Sequence, residues 1–270
     1  MSVGFIGMGN MGQMLVIALA RSGALKPGEI VISSRSPAKL SQAADRVPGL
    51  QVAYTNREVA RRCRTIFLCV KPGETQAVLD EIGPYISDEH LLVIINNTLL
   101  IPMMEERLPA RVAKVIPSVV QQIGKGASLL AFGSRCTPED HALLMRLMNA
   151  ISRPYVITEE QARVASDLTS CGPAFLAYVC RALAGAARHY QPDLAPEVVE
   201  AMVRETARAT CELMEQTGLT FDDVIVRVST PGGVTADGIA VLDELLSGVW
   251  EQVIETTIRK ENFKRAKVNL

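Results

Sequence analysis

Apolar and polar positions along this chain follow two regimes, and the change between them falls near Thr158. Before it, short apolar runs recur between amphipathic stretches. Residues 3–6, 29–33, 50–54, 65–70, 91–95, 111–116, 127–132 and 155–157 read as strands. Runs that are apolar at every position suit a parallel sheet covered on both faces. Residues 11–20, a stretch opened by Pro37, and 56–63, 74–85, 102–108 and 138–151 carry helical spacing instead. Strand–helix alternation of this kind predicts an α/β fold. After Thr158 the strand-like runs vanish. Residues 161–169, 174–190, 196–217, 221–228, 236–246 and 249–267 all read as helices.

The first strand runs into Gly7-Met8-Gly9-Asn10-Met11-Gly12. In G-x-G-x-x-G spacing, the first glycine makes the tight turn and the second lets a pyrophosphate approach the backbone. The third lets the helix pack close to the strand. The helix N-terminus then faces the phosphate. The strand before the motif and the helix after it supply the context that it requires. We therefore expect a Rossmann dinucleotide-binding domain over 1–158 and an all-α domain over 159–270. At the end of the second strand an NAD-preferring site usually carries a carboxylate for the ribose 2′-hydroxyl. This chain has Ser33, Ser34 and Arg35 there, with Lys39 one turn on. Hydroxyls and a guanidinium suit a 2′-phosphate, so NADPH is expected over NADH. Lys71-Pro72-Gly73 closes the fourth strand, at the end of the sheet where ligands bind.

Two turns stand out in the helical half. Asp167-Leu168-Thr169-Ser170-Cys171-Gly172-Pro173 ends one helix and starts another, with Pro173 in the first turn. Thr230-Pro231-Gly232-Gly233-Val234-Thr235 opens a later helix, whose first N–H groups, from Gly233 to Thr235, make a ready anion site. The hydroxyls of Thr230 and Thr235 would either cap that helix or meet a ligand. These helices also carry more apolar surface than a lobe of this size can hide. Ala182, Leu183, Ala186, Met202, Ala209 and Leu213 suit a helix–helix interface, so self-association as a homodimer or larger homo-oligomer is expected.

Composition narrows the chemistry. The 270 residues are 48% hydrophobic and 21% charged, enough for a substantial core, and the net charge of -1 gives nucleic acid or an anionic membrane no electrostatic footing. No apolar run approaches the ~20 residues of a membrane span, and the first residues lack a basic segment and cleavage site. A cytoplasmic location is expected. The 6 cysteines form no C-x-x-C pair and read as reduced core thiols. With 3 histidines, none in ligand spacing, no metal site is expected.

The glycine turn, Ser34-Arg35, Val70-Lys71-Pro72, Ser170-Cys171-Gly172-Pro173-Ala174-Phe175 and the Pro-Gly-Gly loop together resemble pyrroline-5-carboxylate reductase. The resemblance implies a Rossmann domain followed by a helical dimerisation domain. It also implies NAD(P)H-dependent reduction of the cyclic imine 1-pyrroline-5-carboxylate to L-proline, the last step of proline biosynthesis. The implied cofactor positions are Gly7, Met8, Gly9, Asn10, Met11, Ser34, Arg35, Asn56, Val70, Lys71 and Pro72. The substrate, a cyclic imino acid, would meet Cys171, Thr230, Gly232, Gly233, Val234 and Thr235, with Thr235 at the ring nitrogen as the catalytic hydroxyl.

The chain departs from the family pattern at Ser118, where an asparagine is usual, and at Cys171 and Phe175, where serine and tyrosine are usual. It carries Thr230 for the usual serine and Val234 for the usual threonine or alanine. These changes resemble a divergent branch of the family, the late competence protein ComER. A paralogue that binds NADP(H) in a regulatory or competence-related role is therefore the alternative to a working reductase. A β-hydroxyacid dehydrogenase shares the two-domain plan, but its chemistry needs a lysine on the helix after the Gly172 turn. Residues 174–182 contain none.

Overall fold

The computed structural model describes residues 2–267. Met1 and residues 268–270, the outermost ends of the two expected domains, lie outside the described residues. Strands β1 (Val3–Ile6), β2 (Ile30–Ser33), β3 (Gln51–Val52), β4 (Thr65–Leu68), β5 (Leu91–Ile94), β6 (Arg111–Ile116), β7 (Ala127–Phe132) and β8 (Arg153–Val156) form one 8-stranded sheet in the order β3-β2-β1-β4-β5-β6-β7-β8. Every pairing is parallel except β6 with β7. Its first six strands follow the doubly wound order, which reverses between β1 and β4 and opens a crevice there.

Helices α1 (Asn10–Arg21), α2 (Pro37–Arg46), α3 (Asn56–Arg62), α4 (Pro72–Ile82), α5 (Ile101–Arg107) and α6 (Pro138–Asn149) connect the strands. β1, β2, β4 and β5 are buried at every position, as strands covered on both faces must be. One apolar cluster joins Phe5, Phe67 and Val93 of the sheet to Leu15 and Leu19 of α1 and Leu144 and Leu147 of α6. The other joins Ile6, Ile66 and Leu92 to Val59 of α3, Leu79 of α4 and Met104 of α5. Phe5 and Phe67 are register partners and stack with centroids 4.8 Å apart.

β3 pairs over only two residues, against an expected five-residue span at 50–54, because it is the sheet edge: Tyr54 is 88% exposed. A 3-10 turn over Val119–Ile123, which no periodicity marks, links β6 to β7 and packs on α1. Every other expected strand and helix is present, with ends shifted by a few residues.

The remaining helices are α7 (Ala162–Thr169), α8 (Gly172–Tyr190), α9 (Pro196–Thr217), α10 (Phe221–Val228), α11 (Val234–Leu246) and α12 (Val249–Arg265). The change from sheet to helices comes near Thr158, but the compact units divide later. One unit runs to Gly172 and takes in the chain again from Thr257; the other is Pro173–Thr256. Apolar packing and polar ties both keep α7 with the sheet: fully buried Ala162 packs with Ile116 and Leu129. Ser118 Oγ donates to the Thr169 carbonyl at 2.8 Å, and Asn97 Nδ2 donates to Ser166 Oγ at 2.6 Å. The end of α12 is held similarly. Arg163 Nη1 meets Glu261 at 2.6 Å, Thr257 Oγ1 donates to Asp167 at 2.6 Å, and Arg265 Nη2 donates to the Asn97 carbonyl at 3.0 Å. Fully buried Lys114 pairs with Glu159 at 2.5 Å, and burial pulls its pKa below the ordinary lysine value, which the carboxylate partly offsets.

The second unit is different. Of its large apolar side chains, Leu176, Tyr178, Leu183, Met202, Val226, Val241 and Leu245 are all exposed. Ala182, Ala186, Ala209 and Leu213 are exposed as well. Among the described residues no helix is long and apolar enough to cross a membrane.

Candidate functional site

The first glycine turn has the backbone that its sequence requires. Gly7 has φ of 102°, a region closed to most side chains, and its N–H donates to the Ser33 carbonyl at 2.9 Å. A Cβ on Gly12 would lie 2.1 Å from the Gly7 carbonyl oxygen, so only glycine lets α1 come this close. A Cβ on Gly9 would meet nothing within 4 Å: this glycine faces open space. Gly9 is also the N-cap of α1, without a side-chain cap and with no acid in the first turn. The first N–H groups of α1 are thus left to an anion.

That open space is a cleft of about 460 Å³ at the C-terminal ends of β1, β2 and β4. Gly7, Met8 and Gly9 line it from below, Ser34, Arg35, Ser36 and Lys39 from the β2 side, and Asn56, Val70 and Lys71 from further along. The structure therefore brings eight of the sequence-derived cofactor residues to one cavity. The others sit elsewhere. Met11 packs against the core, and Pro72 takes the first position of α4. Asn10 lines a neighbouring groove of about 590 Å³ with Gln13, Arg21, Lys39 and Arg46. The donor set of the cleft suits the phosphates of a dinucleotide, with a bare helix N-terminus for a pyrophosphate.

Asn56 is held firmly. Its Oδ1 accepts from Ser33 Oγ at 2.8 Å, and its Nδ2 donates to Glu81 at 2.7 Å. Glu81 also accepts from the backbone N–H groups of Asn56 and Arg57, at 3.0 and 3.3 Å. Sequence reasoning missed Glu81 and Glu74, both of which line the cleft. Glu74, Ala77, Val78 and Glu81 all face it, at the i, i+3, i+4, i+7 spacing of one helical face, so the signal was present in α4.

In the second unit, the Pro-Gly-Gly loop is also built for glycine. Gly232 has φ of 74°, and a Cβ on Gly233 would lie 2.8 Å from Thr230 Oγ1 and 3.0 Å from the Thr230 carbonyl oxygen. α11 starts at Val234, two residues before its expected start, so Thr235 lies inside its first turn. Gly233 is the N-cap and has no side-chain cap. Its own N–H closes the turn on the Thr230 carbonyl at 2.9 Å, so the donors left at this helix end are those of Val234 and Thr235. Among the described residues, neither threonine hydroxyl has a hydrogen-bond partner. Capping by these side chains is thereby ruled out.

The remaining sequence-derived positions lie near α7. Ser118 is fully buried, and its hydroxyl is committed to the Thr169 carbonyl. Arg163 Nη2 donates to Asp167 and reaches Cys171 Sγ at 3.5 Å. Phe175 lies in the second unit and tilts against Trp250, with ring centroids 6.3 Å apart. All six thiols are free. Burial raises the pKa of Cys63 and of Cys136 to about 11, and pushes Cys69 higher still. These core thiols stay protonated and inert at neutral pH.

Comparison with known proteins follows the same division. Residues 2–98 match the family model described as NADP oxidoreductase coenzyme F420-dependent, and residues 159–263 match that for pyrroline-5-carboxylate reductase dimerisation. Pyrroline-5-carboxylate reductase 3 of Danio rerio is 31% identical, over 90% of this chain and 83% of its own length. The chain belongs to the pyrroline-5-carboxylate reductase family. ComE operon protein 4 of Bacillus subtilis is also 31% identical, over 96% of this chain and 95% of its own length. The pyrroline carboxylate reductase of Plasmodium falciparum, solved with NADP bound, shares the fold. Its TM-score is 0.82 at 22% identity, over 99% of this chain and 98% of its own. Members of the family are NAD(P)-dependent oxidoreductases, and this chain carries both the nucleotide-binding fold and the dimerisation domain.

Proposed function

We propose that this protein is an NADPH-dependent reductase that converts 1-pyrroline-5-carboxylate to L-proline as a cytoplasmic homodimer or larger homo-oligomer. The observation that carries the reading is the α11 N-terminus, where two bare N–H groups stand beside an uncommitted threonine hydroxyl. A cyclic imino acid needs those groups: donors for its carboxylate and a hydroxyl for its ring nitrogen.

When bound, a reduced nicotinamide would supply the hydride for the imine carbon, and the ring nitrogen would take its proton from solvent. The residues of this chain do the rest. The N–H groups of Val234 and Thr235 would hold the carboxylate, with Gly232, Gly233 and Thr230 shaping the turn around it. Thr235 Oγ1 would hydrogen-bond the ring nitrogen and orient or relay its proton. An iminium is already electrophilic, so positioning supplies most of the acceleration. Gly7, Gly9 and the first turn of α1 would seat the pyrophosphate. Arg35, Ser34 and Lys39 suit the 2′-phosphate, and Asn56, Val70 and Lys71 wall the cleft. We assign cofactor binding to 1–158 and self-association with substrate binding to 159–270, the span where the dimerisation family model matches from 159 to 263.

A second reading, a paralogue that holds NADP(H) without turnover, draws support from two places. The buried Ser118 hydroxyl is committed to Thr169, and Arg163 reaches the Cys171 thiol in a signature where serine is usual. The likeness to ComE operon protein 4 is compatible with either reading. An oxidation assay with NADPH and NADH, over a small panel of cyclic imines led by pyrroline-5-carboxylate, separates them. Saturable turnover supports the reductase; saturable NADPH binding without turnover on any imine supports the paralogue.

A further inference from the structure

Arg35 and Glu74 face each other over the dinucleotide cleft. Arg35 follows β2, Glu74 lies in the first turn of α4, and both line the cavity. The guanidinium donates to the carboxylate at 2.5 Å, although the Arg35 side chain is 80% exposed and that of Glu74 33% exposed. The other acid of the cleft, Glu81, is taken up by Asn56 and Arg57. Among the described residues, the Glu74 carboxylate is met by Arg35 alone.

We propose that Glu74 sets the cofactor preference of this site, by competing with a 2′-phosphate for Arg35 and by accepting from a 2′-hydroxyl in its place. This inference rests on the reading of the cleft as the dinucleotide site. A 2′-phosphate brings roughly two negative charges at neutral pH. It must draw Arg35 away from Glu74 and then sit beside the displaced carboxylate. NADH meets the opposite situation. Its ribose 2′-hydroxyl is a donor, and the carboxylate that usually receives it at the end of the second strand is absent here. Ser34 and Arg35 stand in that place, and Glu74 returns a carboxylate from the opposite wall. The cleft therefore holds a group for each cofactor, already paired with the other. Neither cofactor is excluded, and the pair moderates the advantage that Arg35 alone would give NADPH.

The test is direct binding of NADPH and NADH, followed by nicotinamide fluorescence, to the wild-type protein and to Glu74→Gln and Glu74→Asp. Exposed ion pairs are worth little individually, which sets the expected size. In Glu74→Gln, NADPH should bind about 3- to 5-fold more tightly and NADH about 2- to 3-fold more weakly. Glu74→Asp, which keeps the charge, should hold the Kd ratio nearer the wild type. A purely structural defect at α4 would weaken both cofactors together. If both bind and the NADPH-to-NADH Kd ratio is unchanged in Glu74→Gln, or both weaken together, the proposal for Glu74 is overturned and the cleft assignment stands. If neither cofactor binds the wild-type protein saturably, both fail.

Discussion

The two glycine turns of this chain solve the same local problem in different surroundings. Each opens a helix whose N-cap is a glycine without a side-chain cap, so each leaves backbone donors bare. The turn at Gly7 is locked in place: β1 is buried throughout, Leu15 of α1 is fully buried, and the backbones of Gly7 and Gly12 nearly touch. The turn at Gly232 lies in a unit with exposed apolar helices, and Thr230, Pro231 and Gly232 are themselves exposed. The first turn needs only its own domain to be rigid. The second needs another surface to bury the helices that carry it, and a second copy of the chain is the occupant that our reading assigns. On that reading the cofactor site is complete in the monomer and the substrate site matures on assembly.

The sharpest break of this contrast is Gly12→Val. A side chain there strikes the Gly7 backbone, which cannot yield as a flexible side chain would. We expect a loss of about 3 kcal/mol or more of stability in urea unfolding, with no saturable dinucleotide binding. Wild-type-like binding would mean that close packing of α1 is not what builds the site. Next comes the paired change Leu183→Asp with Met202→Asp on exposed helix faces. Light scattering should show a monomer, with self-affinity down about 100-fold or more. The contrast requires that this monomer still bind NADPH while turnover falls. Loss of cofactor binding along with assembly would erase the distinction between the turns.

Thr235→Ala is the smaller lesion in the second turn. It should lower kcat by about 10-fold or more, in the range of a lost positioned proton donor, with the NADPH Kd unchanged. Unchanged kcat would remove Thr235 from the mechanism. Arg35→Asp is its counterpart in the first region. It should weaken NADPH by about 10-fold and NADH much less, since only NADPH carries the phosphate; equal effects would dismiss the 2′-phosphate role.

The gentlest probe is pH. The folded protein holds the Cys63 proton up to about 11, whereas an unburied thiol loses it near 9.0. The unfolded chain thus binds fewer protons in this window. The contribution of Cys63 is full below pH 9.0 and fades as pH rises to about 11. The slope is at most about 1.4 kcal/mol per pH unit per thiol. Cys63 belongs to the sheet unit, so Cys63→Ala should flatten the alkaline loss seen by denaturant unfolding of that unit. An identical pH dependence in the variant would show that this thiol is not coupled to folding.

The strands around the first turn were legible in the sequence because burial on both faces leaves an uninterrupted apolar run, as in Thr65–Leu68 and Leu91–Ile94. The pattern overestimates β3 because one-sided edge pairing needs no such run. The pattern puts the start of α11 two residues late because the Gly232-Gly233 punctuation reads as loop, while β-branched Val234 and Thr235 already have helical geometry. The units were harder still. The ties that hold α7 and the end of α12 are long-range: Ala162 packs on Ile116 and Leu129, and Arg163 and Glu261 meet across 98 residues of chain, which no local periodicity records. In the cleft, the cations announced themselves by motif position. Glu74 did not, since its role depends on lying across from Arg35.

The central claim is that the bare α11 N-terminus with Thr235 receives a cyclic imino acid for reduction. The direct measurement is transfer of label from NADPH deuterated at the hydride-donating carbon to pyrroline-5-carboxylate, followed by mass spectrometry of the product. The account predicts L-proline carrying one deuterium at the former imine carbon, formed catalytically by the wild-type protein and about 10-fold or more slowly by Thr235→Ala. Unlabelled or absent proline, from wild-type protein that binds NADPH saturably, would contradict it.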